Sequence, residues 1–100
     1  MHDSFLPTVG LARRAGKLLL GLEEFLAYRR SVFLILVAAD ASPRVLRTLS
    51  SRNAPFIVLD LTKEQLGRAV GCGKAAVIAV TDVGFADVIG KKLELQEENE

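Results

Sequence analysis

The chain has little of what metal, redox or nucleophilic chemistry requires: one cysteine, Cys72, and one histidine, His2, in 100 residues. A single cysteine forms no internal disulfide, so nothing points to an oxidising compartment. One Cys and one His are also too small a ligand set for zinc. To act as a nucleophile, Cys72 needs a base or cation that favours its thiolate. His2 lies at the opposite end of the chain and Lys74 is close only in sequence, so Cys72 reads as a free thiol in a tight loop. Apolar runs fall well short of the roughly 20 residues of a membrane span. The opening MHDSFLP lacks the basic-then-apolar order of a secretory signal. No internal repeat, linker or low-complexity stretch precedes the last seven residues. The expectation is a soluble, cytoplasmic protein with no cofactor, no metal and no membrane partner.

What is present is an ordinary globular balance, 50% hydrophobic and 25% charged, in a length that fits one domain. The net charge of +1 conceals an uneven distribution. Glu94, Glu97, Glu98 and Glu100 fall where there are no bases, whereas residues 1–93 carry 13 bases against 8 acids, a net +5. We read residues 1–93 as a single domain and 94–100 as an acidic C-terminal tail. A basic body suits a polyanionic partner.

Periodicity and capping signals give nine elements. Asp3 or Ser4 starts a first helix with Pro7 in its first turn. Phe5, Val9 and Ala12 form its apolar face, Leu11 widens it, and Gly16 stops it. Leu18 to Leu20 is a short strand. Gly21 opens a second helix, GLEEFLAYRR, with Leu22, Phe25 and Leu26 inward. Glu23 and Glu24 fall in its first turn and Arg29 and Arg30 in its last, the polarity a helix dipole favours. Neighbours in sequence diverge by about 100° around a helix, so the two carboxylates do not face one substrate, and no enzyme is expected.

Val32 to Ala39, apolar throughout, predicts a central strand. Ser42 and Pro43 start a third helix with Val45, Leu46 and Leu49 inward, Asn53 stops it, and Phe56 to Leu59 is a third strand. Thr62 with Gln65 is a capping box for a fourth helix. Gly67 inside that helix costs about 1 kcal/mol relative to Ala, which close packing against a neighbour would explain. Ala75 to Val80 is a fourth strand; Thr81 or Asp82 then caps a last helix anchored by Phe85, Val88 and Ile89. Such alternation predicts an α/β sandwich, with helices on both faces of a largely parallel sheet.

The most distinctive stretch is LGRAVGCGKAAVIAVTDVGF, Leu66 to Phe85. Gly71 and Gly73 permit a tight turn or the close approach of a ligand, and Lys74 adds a cation. A phosphate-binding G-x-x-x-x-G-K-[ST] loop does not fit: counted from Gly67, the Gly-Lys comes one residue late, and Ala75 replaces the hydroxyl. The dinucleotide fingerprint fails too, because here a helix precedes the glycines and a strand follows them.

The segments GLARRAGKL, GLEE, LVAADAS, LGRAVG and VIAVTDVGFA resemble the small bacterial members of the L-seven-Ae ribosomal protein family, over nearly the whole chain. That family binds kink-turns, sharply bent RNA helix–bulge–helix elements. The resemblance implies a three-layer α/β/α sandwich with a four-stranded mixed sheet. It also implies a structured-RNA partner (a kink-turn, in ribosomal RNA for instance) and a ribosomal or other protein partner. Two neighbouring surfaces hold RNA in the family. One is the start of the second helix, with a G-x-N-E-x-x-K pattern that Gly21 and Glu24 match. The other is the loop after LG-x-A-x-G, here Val70, Gly71, Cys72, Gly73, Lys74, Ala75 and Ala76. A carboxylate can accept hydrogen bonds from a guanine's N1 and N2 edge, and a small loop can pack on an unstacked base. Arg13, Arg14, Lys17, Arg29, Arg30 and Lys74 would supply phosphate contacts. Glu23 stands where the pattern has asparagine and Ala27 where it has lysine. These departures favour the alternative reading, a protein-interaction module of the same fold that has lost RNA binding.

Overall fold

A computed structural model describes residues 4–98; His2, the helix start at Asp3 and the last tail residues, Asn99 and Glu100, lie outside them. The elements are α1 (Leu6–Arg14), β1 (Leu18–Leu20), α2 (Leu22–Ala27), β2 (Leu34–Val37), α3 (Pro43–Ser51), β3 (Ile57–Val58), α4 (Lys63–Val70), β4 (Val77–Val80) and α5 (Val83–Glu98). None of the helices is long and apolar enough to cross a membrane.

Two central strands carry the fold. β2 and β4 lie side by side in a four-stranded sheet of order β1-β4-β2-β3. Along β4, Ile78 and Val80 enter one apolar cluster with Phe5 and Val9 of α1, Leu66 and Val70 of α4 and Ile89 of α5. Val77 and Ala79 enter the other, with Leu22 of α2 and Val45 and Leu49 of α3. Alternate side chains of a strand point to opposite faces, so a run buried on both sides must be apolar throughout, as VIAV is. The result is a three-layer α/β/α sandwich, with α1, α4 and α5 on one face and α2 and α3 on the other.

The sheet is mixed, as the resemblance implies, rather than largely parallel as the alternation of elements alone predicts. β2 and β3 pair in parallel, but β4 runs antiparallel to both β1 and β2. The cause lies in the connection from α4. Gly71, at φ 84°, ends α4 in the left-handed region, and the amides of Gly71 and Cys72 donate to the carbonyls of Arg68 and Gly67, the paired bonds of a Schellman stop. The chain then doubles back along the helix until the Ala75 amide reaches the carbonyl of Lys63, the first residue of α4, at 3.0 Å. β4 therefore sets out from the end at which α4 began, and must run against its neighbours. Gly67 permits this: a Cβ there would stand 2.6 to 2.8 Å from the Lys74 backbone.

The capping signals act as expected. Ser42 accepts from the Val45 amide, and Thr62 and Gln65 exchange both bonds of a capping box. Asn53, at φ 54°, ends α3 in the left-handed region. Several boundaries differ from the sequence reading. α1 has Phe5 at its N-cap with no side-chain cap bond, and its buried face is Phe5, Thr8, Val9 and Ala12. Leu11 is half exposed, because α1 packs between α4 and α5; Thr8 takes the inner position and its Oγ1 accepts from Lys92 Nζ at 3.1 Å.

α2 stops at Ala27 with an extended Tyr28, so Arg29 and Arg30 lie beyond the helix instead of in its last turn. A six-residue helix rises about 9 Å, roughly the height of the strands it covers, and the chain must then turn to enter β2. In α5 the inner residues are Ala86 and Ile89, while Val88 is exposed. The helix continues to Glu98, carrying residues 94–98 as helix beyond Lys91 and Lys92.

If the Gly67–Lys74 approach fixes the path of the return segment, Gly67→Ala should destabilise the fold by about 1–3 kcal/mol, the usual cost of overpacking. Urea unfolding measures this; an unchanged midpoint would mean that the segment can shift aside.

Candidate functional site

Gly21 supplies the backbone freedom at the start of α2, at φ 102° and ψ 162°. Its amide donates to the Val77 carbonyl at 2.8 Å, and the Ala38 amide donates to the Ala76 carbonyl at 2.9 Å. The opening of α2 is thereby hydrogen-bonded to the strand into which the glycine turn runs. Gly21 meets the exit of the return segment at Val77. Gly71 lies at the segment's other end, with Arg13 Nη1 3.2 Å from where a Cβ would be.

Arg13 ties α1 to that turn by donating from Nη1 to the Val70 carbonyl. This carbonyl ends α4 and has no acceptor role inside the helix. A cation at a helix C-terminus also meets the negative end of the dipole. Between α1 and α4 lie two open depressions of about 230 and 440 Å³ that share Leu6 and Ala69; Arg68 lines the first and Arg14 the second. Gly71, Gly73 and Lys74 are exposed, Cys72 is half-buried, and Val70 and Ala75 are buried and hold the ends of the loop. The Cys72 thiol is turned toward the Lys74 carbonyl, 3.6 Å away.

The carboxylates at the start of α2 have different partners. Glu24 Oε1 accepts from the Leu20 amide at 3.0 Å. Since the Gly21 amide points into the sheet at Val77, the Leu20 amide points outward from edge strand β1, and Glu24 satisfies it. Glu23, 86% exposed at its side chain, lies 3.9 Å from Arg44 Nη2 at the start of α3. So exposed a pair contributes little stability, but it offsets the negative charge at this position.

Of the residues singled out in the sequence, the structure joins Gly21 to Val77 at the exit of the return segment and Arg13 to Val70 and Gly71, while Glu23 and Glu24 turn to Arg44 and Leu20. It does not bring Lys17, Arg29 and Arg30 to this opening. The Lys17 carbonyl accepts from Thr81, and Arg29 and Arg30 precede Phe33, whose amide donates to Val80; both contacts lie at the far end of β4. Two further exposed cations flank these elements, Arg44 beside Glu23 and Arg68 in the depression between α1 and α4. Arg44 follows the Ser42–Pro43 helix start and Arg68 sits inside LGRAVG, so each was legible as a cation carried by a motif.

Arg13→Ala should lower stability by about 1 kcal/mol through the unpaired Val70 carbonyl, while Arg14→Ala stays within about 0.5 kcal/mol. Thermal unfolding midpoints compare them; equal effects would contradict a structural role peculiar to Arg13.

No protein-family model matches the chain, and no curated protein does. Among solved structures, it is similar to a protein of unknown function from Bacillus halodurans, at 28% sequence identity and a TM-score of 0.79. The match covers 92% of this chain and 98% of that one, so the two share one fold over nearly their full lengths.

Proposed function

We propose that the chain is a non-enzymatic binder of structured RNA, of the kink-turn kind, acting in the cytoplasm at the ribosome or elsewhere in translation. On this reading it is a bacterial relative of the L-seven-Ae ribosomal proteins. The observation that carries the proposal is the bond from the Gly21 amide to the Val77 carbonyl, which sets the α2 opening beside the segment leaving the glycine turn. The α2 opening and the exit of the loop, parts of the two surfaces that the resemblance assigns to RNA, are thus adjacent, with Gly71 at the loop's other end beside Arg13. Gly21 lacks a side chain where the backbone would approach RNA, and nothing lies within 4 Å of a Cβ built there or at Gly73. Glu24 is oriented by the Leu20 amide through one oxygen. A carboxylate has about four acceptor sites, so capacity remains for a guanine's N1 and N2 edge. Arg14, Arg44, Arg68 and Lys74 supply exposed cations for phosphates.

A second reading keeps the fold as a protein-interaction module. The observation favouring it is Glu23, whose exposed charge faces Arg44 where the family pattern carries an asparagine amide.

A mobility-shift titration with a kink-turn RNA, and with a control lacking its tandem G·A pairs, separates the two. The expected result is preference for the kinked RNA and affinity that falls steeply with salt, through counterion release. Equal, negligible binding to both RNAs would return the chain to the interaction module. Glu24→Ala should erode discrimination by roughly ten-fold or more, as for a hydrogen bond to a charged group. Glu24→Gln, which keeps an acceptor for the Leu20 amide, separates loss of recognition from loss of the turn. Arg14→Ala should weaken both RNAs alike and reduce the salt slope by about 1.

A further inference from the structure

The end of the sheet remote from Gly21 carries an exposed aromatic side chain that packing does not explain. Phe33 is 50% exposed and is the aromatic member among the exposed large hydrophobic residues of the described chain. Its amide donates to the Val80 carbonyl at 2.9 Å, and next to it the Thr81 amide donates to the Lys17 carbonyl at 2.9 Å. Adjacent strands lie about 4.8 Å apart, so the backbones of Lys17 and Phe33 are separated by roughly 10 Å across β4. Arg30 and Arg29 precede Phe33 by three and four residues, both exposed, because α2 ends at Ala27. One aromatic face is therefore accompanied by three solvent-facing cations. Asp82, which follows Thr81, has its carboxylate turned to the Phe85 amide at the start of α5, 2.9 Å away.

We infer that this end is a second nucleic-acid seat, for unpaired RNA, in which Phe33 stacks on a base and Lys17, Arg29 and Arg30 hold the adjoining phosphates. It rests on the proposed function only in taking RNA as the ligand. Stacking needs an exposed base face, which a duplex withholds and a single strand offers; an aromatic platform set among cations is how proteins hold single strands without reading their sequence. The seat is also separate from the α2 opening at Gly21, while the end of α1 that carries Arg13 and Arg14 leads into it, the Lys17 amide donating to the Ala12 carbonyl at 2.9 Å. From Val77, bonded to Gly21, to Thr81, bonded to Lys17, β4 advances four residues, or about 13 Å. One RNA can thus present a kinked helix to the first surface and a few unpaired nucleotides to the second.

The test titrates the full chain with a kink-turn RNA, blunt or carrying single-stranded extensions of six uridines, and with the labelled hexauridylate alone. Extension should tighten binding of the unaltered protein by roughly ten-fold, within the range for one stacked base. Phe33→Ala should abolish that gain while leaving the blunt affinity unchanged, and Phe33→Trp should restore it. Arg29→Ala with Arg30→Ala should reduce the salt slope of the extended RNA by about 1.4, or 0.7 per single-strand phosphate contact; these exposed residues give a readout even where Phe33→Ala perturbs folding. No gain from the extension, or a Phe33→Ala loss equal on blunt and extended RNA, would overturn the inference, including where Phe33 instead meets a protein. The two readings fail separately. Binding of hexauridylate that depends on Phe33, without preference for the kink-turn, would uphold the second seat and reject the first.

Discussion

The approach of the Lys74 backbone to Gly67 is the contact on which the arrangement of the molecule depends. A strand that follows a helix in an alternating α/β chain usually returns parallel to the strand before it. Here the chain lies back along α4 instead, and a side chain at position 67 would occupy the same space as the Lys74 main chain. β4 consequently enters the sheet between β1 and β2, antiparallel to both. That insertion makes VIAV the centre of two apolar clusters, and brings Val77 within hydrogen-bond reach of Gly21. A close contact between one short helix and the segment that follows it thus determines which surfaces become neighbours.

The charges follow the same geometry. Arg13 is spent on the end of α4, whereas Arg14 and Arg68 line the depressions beside it. Glu24 closes the outward amide of Leu20, so one carboxylate both supports the α2 opening and, in the proposed function, presents an acceptor to RNA. The basic residues are not pooled into one patch. Arg44, paired with Glu23 at the α2 opening, and the arginines and lysine near Phe33 belong to opposite ends of β4, whereas Arg13, at the glycine turn, lies on the helix end that leads into Lys17; a linear map of the sequence does not reveal this.

Much of the local structure was legible because its causes are local. The Thr62–Gln65 box, the Ser42–Pro43 start and the stops at Gly16 and Asn53 each depend on a few neighbouring residues, and each is present. The packing reason for Gly67 was also anticipated, though not its partner. What could not be read depends on contacts distant in sequence. The direction of β4 is set by the return along α4, and the burial of Thr8 in place of Leu11 by the positions of α4 and α5 around α1. The length of α2 is set by the strands it covers; its apolar spacing would have allowed another turn. The site divides in the same way. Gly21, Glu24 and the glycine turn are carried by short motifs, while the displacement of Lys17, Arg29 and Arg30 to the far end follows from strand pairing.

The two outermost strands are the shortest kind of border a sheet can have. β1 has three residues, one with its outward amide already taken by Glu24, and β3 has two. A foreign strand searching for a template finds almost no ladder to extend, and long exposed borders are what seed edge-to-edge aggregation. With so little rim to offer, the sheet is closed to that route of association by the brevity of its own borders.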